Sequence, residues 1–192
     1  MNKSKFVALL VGLAGLAAAL PAAAQSSFYF GGSIGNTEMK EGVCTGYVFC
    51  DRSDTNWSGN AGFMFTPNWG IELAYRDWGR AIETNDGVGS SSEVKIKSGE
   101  AVIVGAIPIY SLSLYGKFGA YYAKHRQTST YATIPNGDAS NRQWTYGLGV
   151  RYDIMKHLAV RAEWQRYNNV GSQDIGFVSD ADLISGGIIF VF

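Results

Sequence analysis

The most constraining feature of this sequence is the stretch WSGNAGFMFTPNWGIELAYRDWGR at residues 57–80. From residue 69 onward, apolar positions such as Ile71 and Leu73 alternate with polar ones such as Glu72, which is the period-two pattern of a β-strand. A second alternating segment precedes it, and Pro67 lies in the tight connection between the two, where its fixed φ suits a turn. The stretch therefore predicts a β-hairpin.

The faces and the ends of this hairpin indicate what surrounds it. One face is apolar, whereas the other mixes glycine with full charges. Aromatic residues stand at both ends, with Phe65 and Trp69 near the turn and Trp57, Tyr75 and Trp78 far from it. Aromatic girdles on apolar-out strands are typical of a transmembrane barrel, whereas an open soluble sandwich, the alternative, does not need them.

The rest of the chain repeats this pattern and predicts eight strands, joined by three short turns and four long loops. The strands are expected at residues 27–35, in the two arms of the hairpin, and at residues 93–107, 111–127, 142–153, 158–167 and 180–192. The predicted fold class is all-β, an eight-stranded antiparallel up-and-down transmembrane β-barrel. Because short turns of such barrels face the periplasm, both termini are expected there.

The first 24 residues have the features of a secretory signal peptide. Lys3 and Lys5 precede an apolar run at residues 6–20, and the small residues at 21–24 suit a cleavage site. The alternative, a membrane anchor, needs about 20 apolar residues, and this run is shorter. We therefore expect a signal peptide at residues 1–24 and an outer-membrane barrel domain at residues 25–192.

Charge and cysteine content narrow the function classes further. Without Lys3 and Lys5 the chain has 14 Lys and Arg against 16 Asp and Glu, so no nucleic-acid partner is expected, and no motif calls for a cofactor. Cys44 and Cys50 lie in one predicted loop, and an exported protein favours a local disulfide between them. A metal site is the alternative, but that loop contains no His.

The segment GFMFTPNWGIELAYRDWGR, at residues 62–80, resembles the second hairpin of the OmpA-like transmembrane barrels, including turn Pro67 and inward Glu72. VRAEWQRYNNVG, at residues 160–171, is similar to the seventh strand and last loop of that family. The resemblance spans the predicted mature chain and implies a location in the Gram-negative outer membrane. Family members with a peptidoglycan-binding domain continue past the barrel, so this chain is not expected to bind the cell wall through such a domain.

The C-terminal segment ISGGIIFVF also resembles the family. Phe190 and Phe192 follow alternating apolar residues and look like the assembly signal of outer-membrane barrels. The resemblance therefore implies the barrel-assembly machinery as a partner during biogenesis.

The alternation of side chains along the predicted strands points six charged residues into the lumen, and this pattern predicts an ion-pair network there. Its members are Glu72, Glu100, Lys117, Arg151, Arg161 and Glu163. An eight-stranded barrel is just wide enough for side chains to fill it, so these groups are expected to form a polar plug. The resemblance implies an alternative, a gated pore in which an inward Glu exchanges basic partners. Glu72 and Arg161 match that arrangement, but Val104 and Arg151 replace two of its other members.

A second set of charges is predicted on the outer rim. The same alternation points six cations outward, and their distance from the tight turns places them above the lipid-facing band. They are Lys95, Lys97, Lys124, Arg126, Arg142 and, somewhat lower, Arg166. Lysine and arginine form charge-assisted hydrogen bonds to phosphates and carboxylates, which lipopolysaccharide presents at that height. The set is therefore predicted to contact lipopolysaccharide, and the alternative is a solvated charged rim.

Three function classes remain. The first is a non-enzymatic outer-membrane barrel that stabilises the membrane or presents its loops to an extracellular ligand. The second is a narrow porin-like channel. The third is a lipid A-modifying enzyme with Ser, His and an acid at the lipid-facing rim, which is disfavoured because His157 falls at a turn and His125 has inward parity.

Overall fold

The computed structural model describes residues 27–40, 49–51, 53–85, 91–129, 137–172 and 177–192. Nine strands are assigned within them: β1 (Ser27–Met39), β2 (Phe49–Asp51), β3 (Ser53–Met64), β4 (Trp69–Asn85), β5 (Ser91–Ile109), β6 (Leu112–Ser129), β7 (Gly137–Met155), β8 (Leu158–Ser172) and β9 (Phe177–Val191). Among these residues, no helix is long and apolar enough to cross a membrane. The predicted signal peptide and Cys44 lie outside the described residues.

The eight long strands close into an antiparallel barrel. Neighbours follow the order β4-β3-β1-β9-β8-β7-β6-β5, and pairing of β4 with β5 closes the ring. The short β2 continues the line of β3 and pairs with the end of β4, with Cys50 opposite Thr84. The predicted eight-stranded barrel is confirmed, and its closure lets strand neighbours satisfy the backbone polar groups inside hydrocarbon.

Three tight connections lie at one end of the barrel: the bend at residues 65–68 and the turns at 110–111 and 156–157. The hydroxyl of Thr66 accepts hydrogen bonds from the N–H groups of Asn68 and Trp69 and stabilises the first bend. The strands predicted at residues 93–107 and 111–127 place the start of the second turn at Pro108, but Pro108 still pairs with Ser113. The turn begins at Tyr110, which has the positive φ (54°) typical of two-residue hairpin loops.

At the other end, the strands extend further than the sequence predicts. β4 continues to Asn85 and β5 begins at Ser91, although residues 81–92 were predicted to be a loop. β7 likewise begins at Gly137 instead of near residue 142. The polar composition of these residues is typical of a loop. A strand that extends beyond the lipid can nevertheless have polar residues on both faces, because water surrounds it there. Strand pairing, and not hydrophobic alternation, determines these strand ends.

The outer surface has a continuous apolar zone, which we call the lipid belt. It begins at the tight turns and ends at a line of large side chains, Ile34, Trp57, Tyr75, Tyr122, Trp144, Trp164 and Ile184. The next outward positions on the same strands are polar or charged: Asn36, Thr55, Asp77, Lys124, Arg142, Arg166 and Asp182. Trp78, predicted to stand in this girdle region, instead faces the lumen, where it is fully buried. An aromatic upper border followed by charges matches a bilayer boundary.

Candidate functional site

The lumen holds most of the buried charge that the structure describes. Glu72 is buried between the exposed Ile71 and Leu73 because the strand alternates its side chains between the lumen and the lipid. The same alternation turns Lys117 on β6 and Arg161 and Glu163 on β8 inward. The barrel thus brings residues from three separate strands to one level of its interior.

These four residues form what we call the lower charge cluster: Glu72, Lys117, Arg161 and Glu163. The ammonium nitrogen of Lys117 lies 2.7 Å from a carboxylate oxygen of Glu72 and 2.7 Å from one of Glu163. The guanidinium of Arg161 donates to the other oxygen of Glu72 over 2.8 Å. Two cations and two carboxylates balance, and all four residues are buried, so each buried charge has a partner.

Two phenols and an amide complete this cluster. Tyr29 donates its hydroxyl to Glu72 (2.9 Å), and Tyr115 donates to Glu163 (3.0 Å). The side-chain amide of Asn60 also donates to Glu72, over 3.1 Å. The carboxylates therefore accept hydrogen bonds from five donor residues, which fixes their orientation as well as their charge balance.

A second polar layer lies further from the tight turns. Glu100 accepts hydrogen bonds from Tyr167 (2.6 Å) and Gln165 (3.0 Å), so it lies in this layer and not in the lower charge cluster. Arg76 donates to Tyr167 and to Asn56, over 3.1 and 2.8 Å. Sequence analysis missed Arg76 as a network member, although its inward parity, equal to that of Glu72, was a usable signal.

Arg151 behaves differently from the other predicted lumen charges. Its Cα pairs in register with that of Arg161, so two like charges are neighbours on adjacent strands. The guanidinium of Arg151 instead bonds Asp153 on its own strand, with nitrogen–oxygen distances of 2.7 and 2.8 Å. The pair is partly exposed near the tight turns, and Arg151 stands apart from the lower charge cluster.

Above the polar layers, apolar side chains fill the lumen. We call this set the upper apolar cluster: Met39, Trp78, Val94, Ile96, Tyr121, Ala123, Tyr167, Val170, Ala181 and Leu183. The ring of Tyr167 lies edge-on to Trp78 and to Tyr121, with centroids 4.6 and 5.2 Å apart. The indole N–H of Trp78 is satisfied by the hydroxyl of Ser98 at 2.8 Å. Within the described residues, the lumen is therefore charged toward the tight turns and apolar toward the opposite end of the barrel.

Outside, four predicted rim cations form one surface group on β5 and β6. Lys95 is in register with Arg126, and Lys97 is in register with Lys124. They line a surface cavity of about 570 Å³ together with Tyr122. Lys97 also forms an ion pair with Asp77 at 3.1 Å, and hydrogen bonding to this carboxylate raises the pKa of the lysine.

The other two rim cations stack on aromatic rings at the upper border of the lipid belt. Arg142 lies over the ring of Tyr122, with 5.4 Å to its centroid, and Arg166 lies over Trp164 at 5.3 Å. Arg166 also donates two hydrogen bonds to Asp182, of 2.6 and 2.7 Å, which hold the pKa of this carboxyl below its ordinary value. Arg166 thus has an acidic partner of its own and is less suited than Arg142 to bind an external anion.

The remaining predicted positions occupy separate places. His125 is buried in the lumen, and the Nδ1 atom of His157 lies 2.9 Å from the Val191 carbonyl oxygen at the turn end. Phe190 and Phe192 pack on Phe30 at the lipid surface, with ring centroids 5.6 and 5.4 Å away. Within the described part of the chain, no group of three or more His, Cys, Asp or Glu side chains could hold a metal ion.

Comparisons with known proteins agree with this geometry. The family model for the outer membrane protein beta-barrel domain matches residues 6–185. Outer membrane protein A of Salmonella typhi is 26% identical over 99% of this chain, and outer membrane protein P5 of Haemophilus influenzae is 24% identical over 89%. These matches cover 55% and 52% of the two relatives, so the chain spans about half of their length.

Solved structures show the same fold. The attachment invasion locus protein Ail of Yersinia pestis superposes with a TM-score of 0.56 and 19% identity, covering 88% of this chain and 99% of Ail. The N-terminal β-barrel domain of OprF from Pseudomonas aeruginosa gives a TM-score of 0.58 and 12% identity, with 88% and 98% coverage. Ail has also been solved in complex with the heparin analogue sucrose octasulfate, and that form gives a TM-score of 0.53 with 19% identity, over 87% of this chain and 97% of Ail.

Proposed function

The chain belongs to the outer membrane protein beta-barrel domain family, and on that premise we propose that it is a non-enzymatic structural barrel with a surface-interaction role. It is an outer-membrane β-barrel protein, like its relatives. In the proposed role it stabilises the membrane through its lipid belt and presents its long loops to extracellular partners. A cleaved signal peptide at residues 1–24 exports it, and the terminal Phe190 and Phe192 engage the barrel-assembly machinery.

The observation that carries this proposal is the apolar layer that fills the lumen above the lower charge cluster. Residues Glu72 and Lys117 belong to a neutralised charge cluster, and Trp78 and Ile96 belong to an apolar layer above it. An ion that crossed the barrel would have to leave water and displace this apolar layer, which is costly for a charged species. The layering supports a structural role over a narrow channel.

The histidine positions support a role without catalysis. His125 lies inside the lumen with 1% exposure, out of reach of a lipid headgroup. His157 lies at the tight-turn end of the barrel. An enzyme acting on lipid A needs a base at the outer rim beside its nucleophile, and neither imidazole lies there.

For the outer surface, we propose that the rim cations Lys95, Lys97, Lys124, Arg126 and Arg142 contact lipopolysaccharide. They lie just beyond the aromatic border of the lipid belt, where we expect the phosphates of lipopolysaccharide. The structurally similar Ail has been solved in complex with the heparin analogue sucrose octasulfate, which supports an anionic ligand for a barrel of this fold. Arg166 contributes less than Arg142 because Asp182 already neutralises it.

The direct test is a refolding and conductance experiment on the full chain. Heat-modifiable gel mobility would report barrel formation, and the folded protein would then be inserted into planar bilayers. We expect a mobility shift without discrete conductance steps, both for the wild type and for the control Trp57→Ala, whose side chain faces lipid. Discrete conductance steps from the wild-type barrel would contradict the structural role and favour the channel.

A further inference from the structure

A shallow apolar groove of about 490 Å³ lies on the lipid belt across β6 to β9, and we call it the belt groove. Ala162 and Gly149 lie at its floor, and the exposed side chains of Leu148, Val150 and Ile184 line its walls. The volume lies within the range of small-molecule sites. Because the bilayer core contains no water, the occupant of this groove must be an apolar part of a membrane component.

The groove exists because two small residues meet side by side on the lipid face. Ala162 on β8 is in register with Gly186 on β9. A Cβ atom added at Gly186 would have one neighbour within 4 Å, the carbonyl oxygen of Arg161 at 3.9 Å, so the space above this glycine is open. Val150 on β7 is in register with Ala162 on its other side. Trp164 is the next outward residue of β8 and forms the upper end of the floor.

The position of the groove indicates which leaflet fills it. Trp164 and Ile184 line its upper end, and both belong to the upper border of the lipid belt. Leu114, also in the lining, is two residues from the start of β6. The groove therefore extends from the upper border toward the tight turns. By the usual orientation of such barrels, the upper border meets the outer leaflet.

Above the groove, the outer face of β7 carries three kinds of side chain in sequence. Arg142 lies furthest from the tight turns, Trp144 and Tyr146 follow, and Leu148 lies at the groove. The rings of Trp144 and Tyr146 are stacked, with centroids 5.4 Å apart and planes at 18°. The negative face of an aromatic ring attracts the C–H groups of a sugar. The order of cation, aromatic pair and apolar groove thus matches the order of phosphate, sugar and acyl chain in lipid A, the membrane-embedded part of lipopolysaccharide.

From this order we propose that the outer face of β7 and β8 holds one molecule of lipid A. One of its acyl chains lies in the belt groove, its sugar lies on Trp144 and Tyr146, and a phosphate contacts Arg142. This inference rests on the proposed contact of the rim cations with lipopolysaccharide, and it names the strands and the apolar site that such a contact uses. All lipid chains are equally apolar, so packing in the groove and the polar contacts above it provide the selectivity.

The test uses the full chain in nanodiscs of dimyristoyl phosphatidylcholine that contain a rising fraction of lipid A. Methyl resonances of Leu148, Val150 and Ile184 report the groove, and those of the lipid-facing Ile71 and Ile103 report general changes of the bilayer. We expect lipid A to shift the groove methyls saturably and the control methyls little. Dephosphorylated lipid A and phosphatidylglycerol should shift the groove methyls much less, because the first lacks the phosphates and the second lacks the sugar.

Two lipid-facing alanines supply a matched pair of variants. Ala162→Phe should fill the floor of the groove and raise the lipid A fraction at half-saturation about three- to tenfold, because packing selects the chain. Ala101 is also exposed on the lipid face, but on β5, so Ala101→Phe should leave half-saturation unchanged. Heat-modifiable gel mobility would confirm that both variants fold. If Ala162→Phe does not fold, the smaller change Ala162→Leu takes its place.

Two results would overturn the proposal: equal shifts from lipid A and phosphatidylglycerol, or the same half-saturation for Ala162→Phe and the wild type. Replacing the five rim cations by Gln separates the groove from the proposed rim contact. Loss of lipid A binding in that variant, together with unchanged binding by Ala162→Phe, would exclude the groove and leave the rim contact standing. The reverse result would support the groove and exclude the rim contact.

Discussion

Glu72 on β4 and Glu163 on β8 are joined across the lumen by one ammonium group, that of Lys117, which lies 2.7 Å from an oxygen of each. Like charges this close would repel each other without the shared cation. Arg161 supplies the second positive charge, which makes the group neutral. The arrangement ties three strands that are far apart in sequence, so it contributes to closure of the barrel as well as to filling it.

The first prediction concerns coupling between Glu72 and Arg161. Glu72→Gln and Arg161→Gln should each destabilise the barrel by about 3 to 5 kcal/mol, because each leaves a buried charge without its full partner. The double variant should cost less than the sum of the two. Urea unfolding in lipid vesicles would measure the three free energies, and strict additivity would show that the residues are not coupled.

The second prediction tests the close approach of Tyr29 to β3. Gly62→Ala should destabilise the barrel by about 1 to 3 kcal/mol, because the new methyl group meets the Tyr29 ring, which its bond to Glu72 holds in place. Gly59→Ala on the same strand is the control, because no atom lies within 4 Å of its added Cβ. Equal unfolding free energies for the two variants would contradict the packing described here.

The third prediction concerns the cysteines. Cys44 and Cys50 should form a disulfide that restricts one extracellular loop and contributes roughly 2 to 3 kcal/mol through chain entropy. Reduction should therefore leave the heat-modifiable mobility shift intact, because the predicted bond closes a short ring between β1 and β3 and joins no two of the eight long strands. Mass spectrometry with and without reduction would detect the bond. Loss of the folded band on reduction would show that the disulfide supports the barrel itself.

The fourth prediction concerns the outer rim. Changing Lys95, Lys97, Lys124, Arg126 and Arg142 together to Gln should weaken the thermal protection that lipopolysaccharide gives to the folded protein. Folding in zwitterionic detergent should not change, because all five side chains are exposed. Equal protection of the variant and the wild type would exclude these residues as a lipopolysaccharide site.

The sequence alone determined the barrel, its eight membrane-crossing strands and, to within about two residues, the positions of the tight turns. These features are local: side chains alternate with period two in any strand, and Thr66-Pro67-Asn68 fits a turn whatever surrounds it. The resemblance to the OmpA-like barrels, read from the same residues, is confirmed by the family match.

Only the tertiary structure decided which inward residues meet. The alternation of side chains along each strand points Glu72, Glu100 and Arg151 toward the lumen. The stagger between neighbouring strands then decides at which level of the barrel each side chain lies. Glu100 therefore joins the layer of Arg76, and Arg151 pairs with Asp153 near the tight turns. The packing of the Tyr29 ring on Gly62 of a neighbouring strand has the same origin. Contacts between distant strands depend on how the whole sheet closes, and no local pattern encodes that stagger.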